Sequence, residues 1–158
     1  MAHIFEAWHY KIGPGGRPDK ADEAQSAKRL GKYTSAAKAD AAIARRRGEE
    51  GFRDWPHGFR IELLSLDAGL PEAASVALTR IYSVWHHRIG RDDEDDSDDP
   101  AQAATDLGRF SSEQNAPLAI AVLRDDPRFR DFPDGFRIYS APPNIDHWDG
   151  GFIPWDEA

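Results

Sequence analysis

The amino-acid sequence predicts an α+β fold in which one small β-β-α-β unit is written twice. Each copy is an antiparallel sheet carrying one helix, and the two copies form a pseudo-twofold pair. Three observations predict this. Sliding the chain over itself by 77 residues makes 26 of the 58 positions from 4 to 61 identical to their partners from 81 to 138, with no gap. Each copy opens on an aromatic and β-branched run, IFEAWHYKI or IYSVWHHRI, of the kind that forms strands. Each also closes on a shared block, GFRDWPHGFRI or RFRDFPDGFRI, punctuated by Pro and Gly. A 77-residue period is too long for a stacked solenoid repeat, so a pair of domains is expected, 1–77 and 78–158.

The elements of each copy follow in order. The opening strand is followed by a polar stretch and then a short strand at 29–34 or 106–111. The helix comes next. In the first copy Ala36, Ala39, Ile43 and Arg46 recur at helical spacing; in the second, Ala116, Ala119, Ile120 and Leu123 do so. Ser35 is the expected N-cap of the first helix. Asn115 is the expected cap of the second, because it places Pro117 in the first turn, where a missing N–H costs nothing. Pro56 and Pro133 suit the second position of a β-turn, with Gly58 and Gly135 closing it. A half-buried strand then alternates Phe59, Ile61 and Leu63 with Arg60 and Glu62, and Phe136 and Ile138 with Arg137 and Tyr139.

Composition narrows the function classes. The chain has 158 residues, 40% hydrophobic and 30% charged, with five Trp and eight Phe to build a core. Mean hydropathy is −0.67, and no run approaches the roughly 20 apolar residues of a membrane helix. The opening residues lack the basic-then-apolar pattern of a secretory signal, and a cytoplasmic location without membrane association is expected. With no Cys there is no disulfide, thiolate metal site or thiol nucleophile. The net charge of −8 is uneven. Residues 1–77 hold 12 Lys and Arg against 11 Asp and Glu, whereas residues 78–158 hold 8 against 17. An acidic chain is repelled by phosphate backbones, so nucleic acid is disfavoured and a basic protein partner is favoured.

Five groups of residues are candidates for chemistry or binding. His9, His86, His87 and His147 could bind a metal or act as bases, but no HxH pair or HExxH helix is present. His9 and His86 read as framework residues hydrogen-bonded beside Trp8 and Trp85, and no catalytic residue, metal or cofactor is assigned. Asp92, Asp93, Glu94, Asp95, Asp96, Asp98 and Asp99 form a run of seven carboxylates in eight positions. That run lacks the alternating ligands and turn glycine of a calcium loop and is the expected contact for a basic partner. Arg45, Arg46 and Arg47 complement the end of the first helix or pair with the acidic second copy. Arg53-Asp54 and Arg130-Asp131 read as turn architecture, held by an ion pair or by an Asp-to-backbone hydrogen bond. Trp148 reads as part of a C-terminal strap, while Trp155 is a candidate hot-spot anchor for a partner.

The run from G-[KR]-[YF]-[TS]-S through an alanine-patterned helix to GFRD-x-P-x-GFRI resembles a family of small uncharacterised bacterial domains of unknown function. The ending Asp146, Trp148, Gly151 and Phe152 is similar to the D-x-W-x-x-G-F close of that family. The first copy departs from the pattern, having Leu66-Asp67-Ala68-Gly69-Leu70 there. The resemblance implies a fold and no catalytic residues. By analogy with small acidic bacterial proteins of this build, it suggests an inhibitor or immunity-type protein that masks a basic surface of a bacterial effector. The alternative is a small metal-dependent or hydrolytic enzyme using histidines where the copies meet.

Overall fold

The computed structural model describes residues 2–12, 27–70, 77–88 and 104–147. Their order is β1 (His3–Tyr10), β2 (Ala27–Tyr33), α1 (Ala36–Arg46), β3 (Phe59–Ser65), β4 (Ile81–His87), β5 (Ala104–Phe110), α2 (Asn115–Leu123), β6 (Phe136–Ala141) and β7 (Ile145–Asp146). The class is α+β, with two antiparallel sheets and two helices. One sheet has the order β3-β1-β2-β7 and the other β5-β4-β6. The chain divides into two compact units that do not follow the 77/78 boundary. One takes in the described residues of 3–64 and 143–147; the other takes in residue 2 and those of 65–142. Among the described residues, no helix is long and apolar enough to cross a membrane.

Sequence dictates a bulge at the same place in each sheet. Ala7 pairs with Gly31 and Trp8 with Arg29, leaving Leu30 as the extra residue; Val84 pairs with Gly108 and Trp85 with Asp106, leaving Leu107. A bulge sets two residues opposite one and re-aims the side chains around it. Here it directs Leu30 into the core beneath α1 and Leu107 against the core beneath α2.

The helices lie on their sheets through small residues. Ser35 caps α1 as expected, its Oγ accepting the Lys38 N–H at 3.3 Å. Ala39, Ala42 and Ile43 then face Ala7, Leu30, Tyr33 and Phe52. Ala36, expected on the same stripe, is exposed. In α2 the buried pair Ala116 and Ala119 meets Val84 and Phe110, with Ile120 beside them. Its N-cap is Gln114 rather than Asn115, without a side-chain bond, so Pro117 still falls in the tolerant first turn.

The closing strands depart from the expected alternation. Phe59, Ile61 and Phe136 are half-buried, but Leu63 and Ile138 are exposed; Tyr139, on the outward set with Arg137, is exposed as the alternation expects. The reason is position: α1 packs on β1 and β2, and α2 on β4 and β5, so β3 and β6 are edge strands outside the helix footprint.

Candidate functional site

The repeated FRD-x-P-x-GFRI block forms the same turn in each unit. The Gly58 N–H donates to the Trp55 carbonyl at 3.0 Å, and the Gly135 N–H to the Phe132 carbonyl at 3.0 Å. Each of those carbonyls accepts a second bond from a buried imidazole. His9 Nε2 donates to Trp55 O at 2.9 Å and His86 Nε2 to Phe132 O at 2.9 Å. A carbonyl can only accept, so both rings carry their proton on Nε2. The His9 ring lies 5.0 Å from Phe52 and 4.5 Å from Phe59; the His86 ring lies 4.8 Å from Phe129 and from Phe136. Burial pushes the His9 pKa down, against the opposing effect of its bond to Trp55. A cation covers the aromatic ring at each turn, Lys11 over Trp55 at 5.3 Å and Arg88 over Phe132 at 5.1 Å.

The glycines close these turns because nothing larger fits. A Cβ on Gly58 would stand 1.9 Å from the Tyr10 carbonyl oxygen, and one on Gly135 would stand 2.0 Å from that of His87. The Arg-Asp pairs expected to hold the turn do not. Arg53 and Asp54 are exposed and 3.9 Å apart, and Arg130 and Asp131 are exposed and 3.8 Å apart. Pairs so placed contribute roughly 0–1 kcal/mol. The turn is held from inside by the imidazole and the backbone.

A second cluster joins the end of α1 to β7. Asp146 accepts the Tyr33 hydroxyl at 2.7 Å and Arg45 Nη2 at 3.0 Å, while Arg46 stands 3.5 Å away and also pairs with Glu49 at 2.8 Å. Burial and the Asp146 carboxylate raise the Tyr33 pKa. Burial opposes ionisation of Asp146, but the Tyr33 hydroxyl and the Arg45 guanidinium outweigh it and hold the pKa below the usual carboxylate value. The expected pairing of the arginine cluster with the acidic second copy is thus made at Asp146. Arg47 instead lies over the Phe59 ring at 5.5 Å.

The opposite face of the first sheet carries buried charge that sequence reasoning missed. Glu6 and Lys32 are buried and directly opposed on β1 and β2, and Arg29 approaches Glu6 at 3.8 Å. His147 is exposed, its N–H donating to the Leu30 carbonyl at 2.6 Å. Its pKa is lowered by partial burial, then by Arg29 and Lys32. Among the described residues, no three His, Asp or Glu side chains stand together as a metal site would need.

The proposed partner contacts Asp92, Asp93, Glu94, Asp95, Asp96, Asp98, Asp99 and Trp155 lie outside the described residues, as does Trp148. A different surface of the second unit emerges instead. Leu118 and Val122, one turn apart on α2, are 55% and 73% exposed, and Ile138 and Tyr139 are exposed on β6. At a 77-residue offset α1 has Ala41 and Arg45 in place of Leu118 and Val122. That substitution of aliphatic for small and charged residues is the sequence signal that could have found this face. No family model, curated protein or solved structure matches the chain.

Proposed function

We propose that the chain is a non-enzymatic protein-binding module of inhibitor or immunity type, acting in the cytoplasm on a basic surface of a bacterial effector. In this reading the framework is two copies of one β-β-α-β unit, and the copies have diverged on their surfaces. The matched bulges, imidazole bonds and turns support the duplication, and the likeness to small bacterial domains of unknown function belongs to the same reading. The observation that carries the binding role is the outward face of α2. Leu118 and Val122 stand in water there, within a half that holds 8 basic against 17 acidic residues. Exposed aliphatic side chains on a half of net negative charge suit an interface with an apolar centre and a polar, electrostatically steered rim.

The test is capture from native lysate with the wild-type chain and with Leu118→Asp/Val122→Asp. The expected result is a basic protein retained by wild type at low salt, released at high salt, and not retained by the variant. Equal retention by both chains, or retention indifferent to salt, would remove the proposal. Because the substituted side chains are exposed, folding stability is expected to change by no more than about 0.5 kcal/mol.

A further inference from the structure

We infer that the two halves of the chain exchange their ends. Residues 65–67, written in the first half, strap the second unit, and residues 143–147, written in the second half, strap the first. The inference rests on the 77-residue correspondence and not on any partner.

The two straps make equivalent bonds. At the first, the Asp67 N–H donates to the Arg109 carbonyl at 2.9 Å, and the Ser111 N–H donates to Asp67 Oδ1 at 3.0 Å. The Ser111 hydroxyl donates to the other oxygen of the same carboxylate. At the second, the Asn144 N–H donates to the Lys32 carbonyl at 2.7 Å, and the Thr34 N–H donates to Asn144 Oδ1 at 3.0 Å. The Thr34 hydroxyl donates to that oxygen at 3.1 Å. Asp67 and Asn144 are 77 residues apart, as are Arg109 and Lys32, and Ser111 and Thr34.

The backbone repeats with the same offset. Asp67 and Asn144 have φ of +56° and +63°, and they are the only non-glycine residues with positive φ among those described. Asn and Asp enter this left-handed region most readily, because their short polar side chains bond to nearby backbone groups. An isolated Asx clamp would be local turn chemistry. Here the same conformation and the same three bonds recur, each time between a clamp from one half and a Ser or Thr and a carbonyl of the other.

Beyond the clamps the straps diverge. After Asp67 the chain turns, with the Leu70 N–H donating to the Asp67 carbonyl, and Asn115 Nδ2 adds a bond to Asp67 Oδ1 at 3.0 Å. After Asn144 the chain continues as β7 along β2, where Tyr33 and Arg45 hold Asp146. The first sheet therefore ends on a strand from the second half, and the second unit takes its Asp67 clamp from the first half, so a cut between residues 77 and 78 would leave each unit dependent on a strap from the other fragment.

Amide hydrogen exchange on the full chain tests this, using Asn144→Gly and Asp67→Gly. Glycine accepts positive φ, so each variant removes the side-chain acceptor without straining the backbone. The expected result for Asn144→Gly is exchange at the Thr34 amide about tenfold faster, with Ser111 unchanged. Asp67→Gly is expected to do the reverse. Acceleration at Ser111 in Asn144→Gly, or equal acceleration at both amides, would overturn the inference. A second measurement does not depend on tolerance of glycine. Because the chain has no Cys, the pair Thr34→Cys/Asn144→Cys should cross-link within one molecule on mild oxidation, and Ser111→Cys/Asn144→Cys should not. The opposite pattern would also overturn it.

Discussion

Replacing Asp146 by alanine removes the acceptor of the Tyr33 hydroxyl and the counter-ion of Arg45 together. Tyr33 is 1% exposed, so its hydroxyl has no ready access to water once the carboxylate is gone. A buried polar group left without a partner costs about 1–3 kcal/mol. The Arg45 side chain is 57% exposed, and its pair with Asp146 adds only about 0.2–1 kcal/mol. Asp146→Ala should therefore destabilise the fold by about 1–4 kcal/mol. Tyr33→Phe removes the stranded hydroxyl, and Phe110 occupies the corresponding place in the second unit. The double variant Tyr33→Phe/Asp146→Ala should then be about 1–2 kcal/mol more stable than the sum of the single changes allows.

Urea denaturation of the four chains measures this cycle directly. An Asp146→Ala cost below about 0.5 kcal/mol, or an additive cycle, would refute the reasoning. The pH dependence supplies a sign. The folded pKa of Asp146 is lowered, so its contribution is present above the unfolded carboxylate value of about 3.9. It is lost as pH falls through the folded value, and the gap between wild type and Asp146→Ala should close in acid. Tyr33 has the opposite sign. Its raised pKa means that its contribution is present below about pH 10 and is lost as pH rises through the folded value.

Gly58→Ala and Gly135→Ala should each destabilise by about 1–3 kcal/mol or more in thermal melts, since the added Cβ meets a backbone carbonyl that cannot rotate away. Arg53→Ala should shift the melting free energy by less than about 0.5 kcal/mol, because its ion pair is exposed and long. His9 should titrate below the free imidazole value in NMR. The stability gained from the neutral His9 ring should be present above about pH 6.5 and be lost as pH falls through that lowered midpoint.

Most of the local fold was legible in the residues. Apolar period and cap chemistry placed α1 on Ser35, and the Pro-Gly spacing placed both turns. What stayed illegible depends on neighbours far away in the chain. Leu63 and Ile138 obey strand alternation yet are exposed, because a period of two marks a face but not whether a helix covers it. His9 and His86 read as hydrogen-bonded framework residues, and they are, but their partners are carbonyls 46 residues away, which register alone determines. Asp146 could be read as part of a terminal strap, but its bond to Tyr33 spans 113 residues. Asp67 read as a departure from pattern, since a clamp on Ser111 leaves no mark in the sequence around it.

The account depends most on one shared device, a buried imidazole donating to the carbonyl that closes each Pro-Gly turn. Nitrogen-15 NMR of the imidazole rings at neutral pH reads it directly. His9 should be neutral with its proton on Nε2, and His86 should carry a proton on Nε2. A proton on Nδ1 alone in either ring, or a doubly protonated ring at His9, would contradict the equivalence of the two units.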